Sequence, residues 1–591
     1  MGVPSGRRGR VLGVSRVPGV SRVPGVSRVL GVSRVPGVSR VPGISRVLSV
    51  TVSALVAGTS LAGAPATARP LAGAEQPGAS ATAQQPDVVA HAGPAAAPPV
   101  TWVQCDDEAL SGVSPGQRHL FSCAKYPVPL DHDDPGKGTV ELAMMRRAAA
   151  VPGQRIGSLF LNPGGPGGAG FSRPVTAPEK FDPAVLNRFD IVGFDPRGVD
   201  RSTRLRCFTS AEQANEVFGR MWAVPVTGAQ VDSTMDAYRD QGALCGKNAG
   251  ELLGHMSTKD VARDLDLMRQ GVGDQQLNYV GFSYGTLLGA TYVNLFPERS
   301  RAIVLDGNVD PALRTSDGVQ YDRERARGFE LALDAFLKRC AESADKCAFS
   351  PGDPRAKFDE MRERLRQGPV TMPDGSAITL DMFTAGISGA LYDTDDFRAI
   401  ATDLQMLYQA MHPEQAAVVP PRPLTVLGRL THGGRHDGLP PADAETYTDD
   451  TYFGVNCTDK PMPRHPWKVP GIAVQWERES PTFGRYQAFS DLAGCSYWPP
   501  TNPDVHRGPW RHRAANPVLV LGNYYDPATQ YEFSRRMTDQ LGNARLVSVD
   551  AFGHCILGDS SCADRITAAY LTDLKVPEPG QVCRPDKQPF E

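Results

Sequence analysis

Leu277-Asn278-Tyr279-Val280-Gly281-Phe282-Ser283-Tyr284-Gly285 reads as a short apolar strand that breaks into a turn of the pattern G-x-S-x-G. Residues 286–296 then carry a helical pattern. Strand, sharp turn and helix together are the setting in which G-x-S-x-G forms a nucleophile elbow. The turn is so tight that its flanking positions must be nearly free of side chain, and Gly281 and Gly285 meet that need. It lifts Ser283 Oγ into the open and sets the Tyr284 N–H beside a future oxyanion. Gly112-Val113-Ser114-Pro115-Gly116 has the same bare pattern. No strand leads into it, and Pro115 has no N–H to offer an oxyanion. That copy reads as a turn.

A nucleophilic serine needs a base and an acid that orients the base. After an elbow of this kind the chain order is Ser, acid, His. The acid is expected at the end of a late strand. Pro517-Val518-Leu519-Val520-Leu521 reads as such a strand, and the first carboxylate after it is Asp526. Beyond Asp526 one histidine remains in the chain, His554. Asp306 and Asp310, behind an earlier strand, are the rival acids.

Other short apolar runs also end in glycine-rich or acidic turns: 158–162, 189–194, 301–305 and 544–549. Nearly all-apolar strands suit a sheet covered on both faces. With helices between them they predict an α/β fold, a mostly parallel sheet with helices on both faces. Between Asp310 and Trp510 strand signals thin out. Residues 323–340, 354–367 and 395–411 read as amphipathic helices, and Pro- and Gly-rich stretches follow, including 418–442. A large, mainly helical inserted cap accounts for this, over the sheet edge where ligands bind. The expected domains are core 101–310, cap 311–510 and core 511–591.

Asn162-Pro163-Gly164-Gly165-Pro166-Gly167-Gly168-Ala169-Gly170 follows an earlier strand, where a second oxyanion donor belongs. Gly165 is the expected donor and Gly164 its neighbouring alternative. The stretch lacks both G-x-G-x-x-G and a Walker Lys-Ser/Thr pair, which argues against a phosphate cradle. No metal site is expected. There is no H-E-x-x-H, and Gly433 and Gly434 argue against the helix that would align His432 and His436. Nothing calls for a cofactor.

Of the 591 residues, 41% are hydrophobic and 21% charged, which excludes a disordered or collagen-like chain. Residues 13–48 repeat a basic hexapeptide, Gly-Val-Ser-Arg-Val-Pro/Leu, too short and polar to build a core. Residues 1–68 hold nine Arg and no Asp, Glu or Lys; the remainder has 53 basic against 65 acidic residues, a net of −12. So acidic a body is a poor nucleic-acid binder. The apolar run at 47–57, followed by Ala64-Pro65-Ala66-Thr67-Ala68, reads as a secretory signal cleaved near Ala66 or Ala68. It is shorter than the ~20 residues of a spanning helix. Export without stable membrane insertion is expected, with 69–100 a linker or pro-segment. Eleven cysteines remain after the signal. Pairing sequence neighbours gives 105–123, 207–245, 340–347, 457–495 and 562–583. Cys555 is left over, a free thiol expected to be open to bulky reagents.

From about Trp102 onward the chain resembles the secreted bacterial tripeptidyl aminopeptidases, α/β-hydrolases related to the prolyl iminopeptidases. The resemblance rests on Asn162-Pro163-Gly164-Gly165-Pro166-Gly167, Asp195-Pro196-Arg197-Gly198, Gly281-Phe282-Ser283-Tyr284-Gly285-Thr286, Asp526-Pro527-Ala528-Thr529 and Gly553-His554. The final stretch, with Cys562 and Cys583, is similar to the family's C-terminal region. Two positions depart from the pattern: the prolyl iminopeptidases have His where Pro163 stands, and the family usually has Gly where Cys555 stands. The resemblance implies hydrolysis of peptide substrates from a free N-terminus, through an acyl-enzyme on Ser283. A secreted carboxylesterase would use the same triad, and a non-catalytic binding protein is the remaining alternative. An aminopeptidase must also hold a protonated amine with a carboxylate. Asp449, Asp450 and Asp459 are the candidates, with Asp459 favoured because it lies two residues from Cys457.

Overall fold

In the computed structural model the described residues are 97–415, 424–427, 449–501 and 504–591. The expected signal, the hexapeptide repeat, most of the linker, and His432 and His436 lie outside them. The apolar runs form strands because each can be buried on both faces. They are β3 (Gly157–Asn162), β4 (Phe189–Phe194), β5 (Leu277–Phe282) and β6 (Ser300–Asp306), then β9 (Val518–Tyr525) and β10 (Ala544–Phe552). Every residue of β3 and β4 is buried. Before them run β1 (Phe121–Pro129) and β2 (Thr139–Arg147), and β11 (Val582–Cys583) closes the far edge. The nine strands are ordered β1-β2-β4-β3-β5-β6-β9-β10-β11. Pairing is antiparallel between β1 and β2 and between β2 and β4, and parallel from β4 onward.

The parallel strands carry helices on their faces. The helix Gly285–Leu295 after the elbow is buried along nearly its whole length. The helix Thr258–Gly271 packs beside it and starts with a capping box in which Ser257 and Asp260 satisfy each other's amides.

Residues 307–517 lie between β6 and β9. The described ones form mainly helices, the longest being Gly318–Glu342, started by Asp317, whose side chain accepts from Gln320 N. The helices Pro354–Arg366, Leu380–Ala390 and Phe397–Met411 follow, with the small hairpin of β7 (Val370–Thr371) and β8 (Ala377–Ile378). They enclose their own apolar cluster around Phe329, Phe336, Phe358, Phe383 and Phe397.

Five disulfides join Cys105–Cys123, Cys207–Cys245, Cys340–Cys347, Cys457–Cys495 and Cys562–Cys583. Each bridge contributes about 2–4 kcal/mol in the chain-entropy account. Cys555 is the free cysteine.

Candidate active site

Ser283 directly follows β5, in the left-handed region at φ +56°. Only a tightly braced backbone holds a non-glycine residue there. Its amide donates to Asp306 O at 2.9 Å, and its carbonyl accepts the Thr286 hydroxyl at 2.6 Å. The flanking glycines are sterically required. A Cβ on Gly281 would lie 2.3 Å from Gly285 O, and one on Gly285 would lie 2.8 Å from Asn162 O. Ser114, in the second G-x-S-x-G, directly precedes a short 3-10 helix and is exposed, as a surface turn residue would be.

Asp526 lies just beyond β9 and is buried. Its Oδ1 accepts from Ala528 N at 2.9 Å and Thr529 N at 2.8 Å, and its Oδ2 from the Thr529 hydroxyl at 3.0 Å. Both oxygens also face His554 Nδ1, at 3.0 and 2.9 Å. Burial disfavours the imidazolium, but the Asp526 carboxylate outweighs it, so the His554 pKa stands well above the ordinary histidine value. The other nitrogen, His554 Nε2, is buried and has no hydrogen-bond partner among the described residues. Ser283 and His554 nonetheless converge on one turn. Ser283 N reaches Asp306 O, and a Cβ on the next residue, Gly307, would lie 3.0 Å from His554 Cε1. Hydrogen bonds between catalytic groups often tighten only when substrate binds.

The rival acids serve elsewhere. Asp306 Oδ2 accepts from Ile556 N at 2.9 Å and Leu557 N at 3.0 Å, which fixes the backbone just after His554. Burial pushes its carboxyl up to about 6. Asp310 caps the helix Pro311–Ser316 and pairs with Arg536 at 3.3 Å.

Gly164 packs against the elbow: a Cβ there would lie 2.4 Å from Phe282 O and 2.8 Å from Ser283 Cβ. Gly165 is exposed and lines the cavity with Ser283 and Tyr284. Neither the Gly165 nor the Tyr284 amide donates to a protein acceptor among the described residues. The glycine-rich loop is anchored by a residue to which sequence reasoning gave no role. Buried Asp195 accepts from Gly170 N and Phe171 N, both at 2.9 Å, and from Arg201 N at 3.1 Å.

A cavity lies above Ser283. Its roof comes from the segment inserted between β6 and β9: Arg314, Tyr321, Arg325, Tyr392, Tyr452 and Asn456. Tyr392 also clamps the base. Its carbonyl accepts from His554 N at 2.9 Å, and its ring meets the imidazole edge-on at 5.2 Å. None of these roof residues was singled out from the sequence.

Asp459 requires a correction. It ends the helix Asp449–Asp459, is fully buried, and is not among the residues lining the cavity. Its Oδ1 accepts from Thr258 N at 3.1 Å and its Oδ2 from the Thr258 hydroxyl, which also meets Tyr284 OH. Burial pushes its carboxyl up to about 6. It backs Tyr284 rather than facing an incoming amine. The physical reason is helical geometry. Positions two apart lie on different faces of a helix, so anchoring Cys457 to Cys495 turns Asp459 elsewhere. The side chain of Asp449 lies outside the described residues. Asp450 is buried and accepts from Cys207 N at 2.9 Å.

Cys555 is free, partly exposed, and adjoins the base. Desolvation pushes its thiol up to about 11, which makes the reactive thiolate scarce at neutral pH.

Two families match the sequence: one described as "alpha/beta hydrolase fold" over residues 157–345, the other as "TAP-like protein" over residues 480–583. The chain is 31% identical to "Serine protease Hip1" of Mycobacterium tuberculosis, covering 82% of this chain and 91% of that protein. It is 31% identical to "Carboxylesterase B" of the same organism, covering 89% and 97%. It is 29% identical to "Tripeptidyl aminopeptidase" of Streptomyces coelicolor, covering 76% and 81%. With that fold and sheet order, and relatives similar over nearly their full lengths, the chain belongs to the α/β-hydrolases that carry a TAP-like C-terminal region.

Proposed function

We propose that this protein is an exported serine exopeptidase that releases short peptides from a free N-terminus through an acyl-enzyme on Ser283. In this reading His554 takes the Ser283 proton and returns it to the leaving amine. Asp526 holds the imidazole tautomer and stabilises its cation. The Gly165 and Tyr284 N–H groups receive the oxyanion. Water then repeats the cycle on the acyl-enzyme.

The observation that carries this reading is the small, roofed cavity over Ser283. Ser283, Tyr284 and Gly165 line it together with residues of the inserted segment. It suits the end of a chain rather than the middle of a folded protein. The Streptomyces relative's name, "Tripeptidyl aminopeptidase", supports the same direction of attack. Three extended residues place the amine about 10 Å from the scissile carbonyl. The cavity's lining includes no carboxylate. Five disulfides support export, since such bridges persist in oxidising compartments. No helix among the described residues is long and apolar enough to cross a membrane.

A carboxylesterase is the second reading, favoured by the relative named "Carboxylesterase B" and by the acid-free lining. Turnover of aminoacyl, dipeptidyl and tripeptidyl p-nitroanilides, with free and acetylated N-termini, should be compared with p-nitrophenyl esters. The exopeptidase reading expects tripeptidyl anilides to be best and acetylation to be strongly inhibitory. Turnover of esters alone would replace it with the second reading.

A further inference from the structure

The roof of the cavity carries two arginines and, among its lining residues, no carboxylate. Arg314 is 4% exposed. It donates to Asn456 Oδ1, and its Nε is buried with no partner. Its guanidinium lies 5.7 Å from the Tyr284 ring and 5.3 Å from the Tyr321 ring. No carboxylate lies within 4.0 Å of it among the described residues. Arg325 is largely buried as well. Its contacts are long: 3.4 Å to Ala528 O and 3.8 Å to Asp322.

The carboxylates behind the wall are held by other groups. Asp322 and Asp491 both bind the buried Lys460 ammonium, and Asp459 binds Thr258. Burial opposes both charges, but Asp459, Asp491 and Asp322 acting on Arg314, and Asp322 on Arg325, outweigh it and keep both guanidinium groups charged. Arg314 Nε is still left without a partner, and a planar fork of N–H donors matches a carboxylate.

We propose that Arg314 and Arg325 form a carboxylate-binding subsite, so that preferred substrates carry a carboxylate a few bonds from the scissile carbonyl. The proposal rests on Ser283 being the nucleophile and deepens the exopeptidase reading. Two sources share this chemistry. One is an acidic side chain on the residue that gives up its carbonyl. The other is the free C-terminal carboxylate of a short peptide, on the leaving side. Either would complete the donors of Arg314 while the scissile carbonyl points toward Gly165 and Tyr284.

The test begins with binding to the Ser283→Ala protein, which needs no turnover. The ligands are Ala-Ala-Asp-Ala and Ala-Ala-Asn-Ala, each as free acid and as C-terminal amide, titrated by calorimetry. A charge-assisted pair implies a preference of about tenfold or more for the carboxylate form. Asp over Asn assigns the side-chain source; acid over amide assigns the terminal source. Adding Arg314→Gln or Arg325→Gln should bring the preferred ratio toward one, and Arg314→Lys should keep part of it. Equal binding of all four ligands overturns the proposal, as does a preference that survives both Gln variants.

Wild-type turnover of p-nitrophenyl hemiglutarate against p-nitrophenyl valerate gives a peptide-free version. A preference for the hemiglutarate upholds the subsite even where no peptide is cleaved and the exopeptidase reading falls. Equal rates there, with good cleavage of neutral tripeptides, overturn the subsite and leave that reading standing.

Discussion

The Cys555 thiol donates to the backbone carbonyl of Asp306 at 3.4 Å, the same carbonyl that receives the Ser283 amide at 2.9 Å. The turn of the nucleophile and the loop of the base are thus tied to one residue at the end of β6. The Asp306 carboxylate adds a second tie through the Ile556 and Leu557 amides. Asp306→Ala orphans both amides at about 1–3 kcal/mol each. Urea denaturation should show that loss, and kcat should fall with it because His554 is no longer held. Asp306→Asn keeps an acceptor and should lose less. The sign of the pH effect is also fixed. With its folded pKa at about 6, above the ordinary 3.8, Asp306 holds its proton longer in the folded state. Its contribution to stability therefore falls as pH rises from about 4 to 6, and Asp306→Asn should remove that part of the decline.

Cys555 occupies the left-handed region at φ +69°. A side chain there costs about 1–2 kcal/mol that glycine does not. Cys555→Gly should therefore match or exceed wild-type stability by up to about 1 kcal/mol and retain activity. Cys555→Val should be clearly destabilised, since a β-branched residue tolerates this region worst. Thermal melts of the three proteins check the order. With its thiol at about 11, Cys555 should react slowly with thiol reagents at neutral pH and faster as pH rises.

His554 must be neutral to accept a proton from Ser283. Its pKa is held above the ordinary histidine value, chiefly by Asp526 working against burial. The acidic limb of the kcat/KM profile should accordingly lie above ~6.5. Asp526→Asn removes the charge that stabilises the imidazolium. It should move the limb to lower pH while cutting kcat by orders of magnitude, about 10⁴ where the same change has been made in another triad. A limb that stays in place would show that another group sets it.

Asp459 is bound by Thr258 behind Tyr284. Asp459→Asn should change KM for free-amine and acetylated peptides in the same proportion, because it touches neither amine. Steady-state kinetics on matched substrates decides. A selective loss on free-amine peptides would restore a direct role.

Much of the catalytic core was legible because its strands are buried on both faces and so read as unbroken apolar runs. The triad candidates followed from chain order, which left His554 as the one histidine after Asp526. The edge strands β1 and β2 were not read. They pair antiparallel at the margin, β1 carries Pro127 and Pro129, and its burial is mixed. The roof of the cavity was also hidden. Arg325 stands in a helix rich in Arg, Asp and Glu, where a charge normally means a solvated face. Only the packing of that helix over Ser283 turns Arg325 inward beside Arg314. Asp459 failed for a related reason. The stretch 447–459 gives little helical period, so a helix that turns Asp459 away from the Cys457 anchor looked like a loop.

The central claim is that Ser283 is the nucleophile, and the most direct measurement is site mapping of covalent labelling. Wild-type protein treated with a fluorophosphonate should gain one adduct by intact mass, mapped to Ser283 and lost in parallel with turnover. Ser283→Ala should take no adduct and keep no activity above background. A stoichiometric adduct on another serine, or turnover retained by Ser283→Ala, would contradict the account.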